Sequence, residues 1–253
     1  LYGVPTKISV PARGAVRIVS TAAADCACPM LGFGRGTTYE AVVAKTLAQP
    51  WAPPRTDWEC TWIILYTSGT TGQPKGVMLS YRMMYFNVLN FLPVTGISMD
   101  TVFLCCMPIF HTGGLNCYAN PVLYCGGTVV VMGDFNADKA IDLLIDPAVR
   151  VSHFFGVPAM YLMLSEHKRF KDARFPALCN AGLGGAPATE SLVVKWLEKG
   201  APLQPAYGMT EIGPAIAVSN VAYVRDKLRS VGHPVMNADI RIVDDGNREV
   251  ATG

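Results

Sequence analysis

The stretch Thr67-Ser68-Gly69-Thr70-Thr71-Gly72-Gln73-Pro74-Lys75-Gly76 lies between two apolar runs, residues 62–66 and 77–79. Glycines remove the Cβ that would hold a ligand away from backbone N–H groups, and consecutive amides in such turns form a concave nest for anions. The hydroxyls of Thr67, Ser68, Thr70 and Thr71 add donors, and Lys75 adds a point charge. Each charge-assisted bond is worth roughly 1.5–3 kcal/mol when desolvated. The stretch therefore reads as a phosphate cradle set between two strands. Its spacing is not that of a Walker loop, because the lysine follows a proline and precedes a glycine, so a P-loop ATPase fold is not implied.

Outward from this loop the chain becomes regular. Ser80 is placed to cap a helix over 81–92, apolar on most faces and expected to be buried. Apolar, strand-like runs follow at 102–107, 128–132, 149–155, 177–181 and 203–207. Helical patterns alternate with them. One spans 113–124; one is capped by Asn136 with Ala137, Ala140, Ile141 and Leu144 on a single face; one starts at Pro158; and one covers 189–199, closed by Gly200. This alternation predicts an α/β fold: a mostly parallel, doubly wound sheet with helices on both faces. A short antiparallel, barrel-like piece follows, with a strand at 238–243 and a hairpin turn at Asp245-Gly246. The expected organisation is an N-terminal segment and connector over 1–58, an α/β core over 59–215, and a β-rich piece over 216–253.

In residues 1–58 only a strand at 16–19 and a short helix at 39–47 are legible, and the glycines at 32–36 read as a turn. Cys26 and Cys28 form a close pair, but no Cys or His cluster accompanies them, so no metal site is read there. Cys105, Cys106, Cys117, Cys125 and Cys179 sit in apolar surroundings and are expected to be reduced core residues. A net charge of +2 without clustered Lys and Arg gives no reason to expect nucleic acid as a partner. No apolar run is long enough to span a membrane, and a soluble, cytoplasmic protein is expected.

Right-handed crossovers place the loops that follow parallel strands on one edge of the sheet. Three such loops, 108–114, 182–187 and 207–213, carry residues suited to ligands. Tyr207-Gly208-Met209-Thr210-Glu211 offers an aromatic face for a base, a glycine for close approach, a hydroxyl for phosphate and a carboxylate for Mg²⁺. Gly184-Gly185-Ala186-Pro187 would let a planar base slide against backbone, and His111 follows Phe110 at another strand end.

Together these segments resemble the adenylate-forming (AMP-binding) superfamily of acyl-CoA synthetases, luciferases and peptide-synthetase adenylation domains. The 67–76 loop is similar to its phosphate-binding signature, and 207–211 to its aromatic-Gly-x-Thr-Glu motif. The resemblance covers most of residues 60–250, and looks nearest to fatty or aromatic acid CoA ligases. It implies ATP-dependent activation of a small carboxylic acid to acyl-AMP, followed by transfer to CoA. The carried-over roles place Thr67, Ser68, Gly69, Thr70, Thr71, Gly72 and Lys75 on the β- and γ-phosphates as a clamp on pyrophosphate. Gly184, Gly185, Ala186, Pro187, Tyr207 and Gly208 would hold adenine, Thr210 the α-phosphate, Glu211 the magnesium, and His111 would line the acyl pocket and gate the thiol. Pocket walls are expected from Phe110, Leu115, Phe154, Gly184 and Gly208 or their neighbours.

Two other readings stand beside this one. A carrier-protein pantetheine could replace CoA as acceptor, although 154–157 lacks the aspartate that an amino-acid activator would present. The chain could also be a non-catalytic nucleotide-binding module. The family's ribose-binding aspartate and its C-terminal domain with a catalytic lysine lie beyond the pattern found here. The chain is accordingly expected to be a truncated large domain that adenylates poorly by itself.

Overall fold

The computed structural model describes residues 57–68 and 73–251, and the backbone of a strand at Arg17–Ser20 (β1). The expected helix at 39–47, the turn at 32–36 and the Cys26/Cys28 pair lie outside the described residues. The 67–76 loop joins β2 (Thr61–Thr67) to β3 (Lys75–Ser80), which pair antiparallel as a separate two-stranded sheet.

The large sheet holds eight strands in the order β1-β5-β4-β6-β7-β8-β9-β10. They are β4 (Val102–Cys105), β5 (Thr128–Val131), β6 (His153–Gly156), β7 (Asn180–Leu183), β8 (Leu203–Gly208), β9 (Ala215–Val218) and β10 (His233–Pro234). All pairs from β1 to β8 are parallel, whereas β9 and β10 add antiparallel at the far edge. The expected strand at 238–243 does not form: Val243 makes only an isolated bridge to Glu249. The turn between them is present, held by Asp244 Oδ1, which accepts from the amides of Gly246 and Arg248.

The helices obey their sequence signals. Ser80 Oγ accepts from Met83 N and starts α1 (Tyr81–Thr95). Asn136 Oδ1 accepts from Lys139 N and starts α3 (Ala137–Ile145), while Pro158 opens α4 (Pro158–Glu166) and Thr189 caps α5 (Glu190–Glu198). The predicted helix at 113–124 is composite: Thr112–Gly114, a π-wound Leu115–Ala119 and Asn120–Tyr124, together α2.

Strand alternation divides the apolar residues between two cores. Val102, Leu104, Val130, Phe154, Ala181 and Leu183 face α3, α4 and α5, around the fully buried Trp196. Phe103, Cys105, Val129 and Phe155 face α1 and α2. Helix α1 is less buried than its composition predicts. Phe86 is 39% exposed, and the inward face carries Asn87, Asn90 and Thr95. These residues tie α1 to its surroundings: Asn87 Nδ2 donates to Asn116 O, and Asn90 Oδ1 accepts from Asn237 N and Nδ2. Pairing stabilises polar groups on a buried helix face, although Asn87 Oδ1 is buried without a partner among the described residues.

The chain runs from β4 through α2 to β5 on one side, then back through α3 to β6 on the other. Right-handed connections in opposite directions must lie on opposite faces, so the winding reverses between β4 and β6. At such a switch point the strand-end loops part and leave a crevice. Among the described residues no helix is long and apolar enough to cross a membrane.

Burial confirms Cys105, Cys106 and Cys117 as core residues, but Cys179 is exposed and Cys125 half-buried. Cys179 falls in the turn before β7, where its thiol donates to Ala177 O. Burial pushes the Cys105 thiol up to about 11 and those of Cys106 and Cys117 further still. Since the thiolate is the reactive form, iodoacetamide is expected to label Cys60 and Cys179 in the native protein and the three buried thiols only after denaturation. Peptide mass mapping checks this, and labelling of Cys117 in the native protein would show that the core opens.

Candidate active site

Two clefts open at the carboxyl edge of the sheet, one on each face, and β8 separates them. The first, about 560 Å³, lies on the α1/α2 face at the switch point. The second, about 860 Å³, lies between the sheet edge and the start of α5. Tyr207, Gly208, Gly185 and Ala206 line both.

The first cleft is assembled from segments far apart along the chain. Thr67 and Ser68 reach it from the end of β2, and His111 from the loop after β4. Phe155 and Val157 come from β6 and its end, Gly182 and Gly184 from β7, Gln204 and residues 206–211 from β8 and the turn beyond, Phe91 from α1, Tyr118 from α2, and Ala215 and Val218 from β9. The helical turn Thr210–Ile212 sets Thr210 inward, 6% exposed, and leaves the Glu211 carboxylate exposed, with no ion pair among the described residues. Gly208 allows this geometry. A Cβ there would lie 1.8 Å from Pro214 O, because β9 returns directly against it.

His111 Nδ1 accepts from Gly113 N at 3.0 Å, so the neutral ring carries its proton on Nε2. The second cleft is lined by Ala186, Pro187, Ser230, Val231 and Tyr207, the last 53% exposed. Arg229, also at this cleft, pairs with Glu190 in the first turn of α5.

The structure thus brings together Thr67, Ser68, His111, Gly184, Gly185, Tyr207, Gly208, Thr210 and Glu211 around the first cleft, and Gly185, Ala186, Pro187, Tyr207 and Gly208 around the second. Gly69, Thr70, Thr71 and Gly72 lie outside the described residues. Lys75 opposes Thr67 in the hairpin register and is exposed, but it lines neither cleft. Among the expected acyl walls, Phe110, Gly184 and Gly208 are in place, but Phe154 and Leu115 are not. The period of two along β6 sends Phe154 to the opposite core, and its neighbour Phe155 faces the cleft.

Three wall residues carried no local signal: Phe91, Tyr118 and Gln204. Tyr118 is 2% exposed and stacks between Phe103 and Phe155, with centroids 5.2 and 5.5 Å away. Burial pushes its hydroxyl up, so it stays protonated and donates to Asn180 Oδ1 at 2.7 Å. A magnesium ion fits the donor set. Among the described residues no group of three or more His, Cys, Asp or Glu side chains converges, and Mg²⁺ in nucleotide sites takes one or two carboxylates plus phosphate oxygens. The unpaired Glu211 meets that need.

A family model for AMP-binding enzymes matches residues 14–253, and the chain belongs to this family. A feruloyl-CoA synthase of Amycolatopsis sp is 34% identical over 191 residues, covering 76% of this chain and 38% of that protein. An indoleacetate–CoA ligase of Aromatoleum aromaticum is 32% identical over 216 residues, covering 85% and 42%. Among solved structures, the o-succinylbenzoate CoA synthetase of Bacillus subtilis with an acyl-adenylate superposes with a TM-score of 0.69 at 31% identity, covering 77% of this chain and 39% of that one. The same synthetase with ATP and a magnesium ion gives 0.69 at 27% identity, covering 83% and 43%. The chain spans about two fifths of the length of these relatives.

Proposed function

We propose that the protein activates a carboxylic acid with ATP, forming an acyl-adenylate and then an acyl-CoA thioester, and that the acid is an aryl or arylalkanoic one. One observation carries this reading: two clefts of different character meet at Tyr207 and Gly208, with Thr210 and Glu211 beside the junction. The second cleft suits adenine, a planar base between the Tyr207 ring and the backbone of 185–187. The first suits the acid, its carboxylate near Thr210 and its apolar body against Phe91, Tyr118 and Phe155. These three rings favour an aromatic acyl group. The names of the relatives, which act on feruloyl, indoleacetate and succinylbenzoate groups, support the same choice.

In this reading a carboxylate oxygen attacks the α-phosphorus, a C–O–P linkage forms, and the bond to pyrophosphate breaks. The CoA thiolate then attacks the acyl carbon and AMP leaves with the bonding pair. The protein positions the reactants and neutralises charge, with no covalent step of its own. Thr210 donates to an α-phosphate oxygen, Thr67 and Ser68 meet the departing phosphates, and Nε2–H of His111 orients the carboxylate. Magnesium held by Glu211 and phosphate oxygens would supply charge neutralisation for the leaving group. The division proposed at about residue 215 separates this α/β core from the segment carrying Ser230 and Val231.

ATP–pyrophosphate exchange by the purified full-length protein, measured with a panel of aryl, fatty and amino acids, tests the reading. Acid-dependent exchange is expected with aryl acids, followed by thioester formation on adding CoA. ATP binding without exchange for any acid would overturn it in favour of a non-catalytic nucleotide module, and transfer only to a pantetheinylated carrier would replace CoA as acceptor.

A further inference from the structure

The floor of the first cleft is polar at one point, and nothing in the activation chemistry uses that point. Tyr118 Oη donates to Asn180 Oδ1 at 2.7 Å, Asn180 Nδ2 donates to Gln204 Oε1 at 2.8 Å, and Gln204 Nε2 donates to Val94 O at 2.7 Å. All three side chains are 3% exposed or less, yet Gln204 and Tyr118 line the cleft. An amide side chain has two N–H donors and an oxygen with two acceptor sites. The bonds just given use one donor and one acceptor site of Gln204, and no second bond to either atom occurs among the described residues. The acceptor lone pairs of Tyr118 Oη are similarly left over.

The placement of this group is set by the sheet. Gln204, Ala206 and Gly208 point to the same side of β8, and four residues of strand carry the wall about 13 Å from the floor towards Thr210. That depth takes an aryl ring with a short arm. Glycine at 182 lets Tyr118 and Phe155 lie close on the sheet: a Cβ there would fall 2.5 Å from Tyr118 Oη and 2.9 Å from Phe155 Cδ2. Phe91 lines the cleft beside Tyr118, edge-on to its ring with centroids 5.6 Å apart. An aryl acid entering past these rings brings whatever it carries at its far end to the Gln204 amide and the Tyr118 hydroxyl, which both line the cleft. A purely aliphatic tail would press methylenes on an amide with hydrogen-bonding capacity unmet, which is unfavourable in a buried site.

We propose that Gln204 and Tyr118 read a hydroxyl or ether oxygen on the end of the acyl ring remote from the carboxylate, so that the preferred acid is a flat aromatic one with a polar substituent there. This rests on the acid-activation reading above. The test compares kcat/KM for pyrophosphate exchange with para-hydroxycinnamate, cinnamate and octanoate, in the full-length protein and in its Gln204→Leu and Tyr118→Phe variants. The parent is expected to favour the hydroxylated acid over cinnamate by about tenfold or more, and both variants are expected to bring that ratio towards one. Tyr118→Phe keeps the stacked ring, so it decides alone if Gln204→Leu fails to fold after losing its tie to Val94. An unchanged ratio in a folded variant, or a parent that prefers cinnamate or octanoate, overturns the inference and leaves acid activation standing. Exchange with no acid at all sinks both.

Discussion

Glu211→Gln is expected to lower ATP–pyrophosphate exchange by about 100-fold or more, the scale on which removing one preorganised charge-stabilising group acts. The substitution keeps the size of the side chain and removes its charge. Glu211 is exposed and makes no ion pair among the described residues, so no folding interaction is lost with it. The turn Thr210–Ile212 is held by backbone bonds, Ile212 N to Met209 O and Gly213 N to Thr210 O, which the variant retains. The loss should therefore appear in turnover and in the magnesium concentration required, with an unchanged thermal transition. A variant that exchanges within a factor of a few of the parent would refute the role given to this carboxylate.

Gly208→Ala is expected to act through the fold. The added Cβ would stand 1.8 Å from Pro214 O and 2.6 Å from Ala215 Cα, both backbone atoms that no side-chain rotation can move. Strands β8 and β9 pair at this point, Gly208 against Ala215, so they would have to separate. The expected cost is about 3 kcal/mol or more, at the upper end of the range for overpacking, and the wall shared by the two clefts would be lost with it. Gly184→Ala is the control. Its Cβ would meet Ala206 O at 3.3 Å and the Phe155 ring at 3.4 Å, a contact that a small shift relieves. Urea denaturation of the two variants side by side checks the contrast, and equal midpoints would show that the backbone at residue 208 yields more easily than the packing implies.

The legible parts of the fold were those encoded in contiguous residues. Ser80 and Asn136 announce helix starts because a short polar side chain can satisfy an amide three residues on, and each does so. The apolar runs at 102–107, 149–155, 177–181 and 203–207 announce strands of one parallel sheet, although the strands form at Val102–Cys105, His153–Gly156, Asn180–Leu183 and Leu203–Gly208, and the loops after them line the clefts. Where the reading went astray, the deciding partner was distant in sequence. Residues 238–243 have strand-forming composition but gain no neighbouring strand among the described residues. Helix α1 looks apolar throughout, yet Asn87 and Asn90 are buried because Asn116 and Asn237 come to meet them.

By itself, the sequence placed the chain among AMP-binding enzymes, in a reading that started from the 67–76 loop and the 207–211 motif. Phosphate and metal binding depend on backbone N–H groups, hydroxyls and carboxylates at fixed short spacings, and short spacings survive in one dimension. Only the tertiary structure decided what lies on each side of that chemistry. The reversal of winding between β4 and β6, and the alternation that turns Phe155 in and Phe154 out, set a cleft lined by Phe91, Tyr118 and Phe155 on one face of β8 and a second cleft on the other. The physical reason is that a pocket wall is made of side chains that share a face, and which face a residue takes is set by strand register and crossover direction, to which residues far apart along the chain contribute.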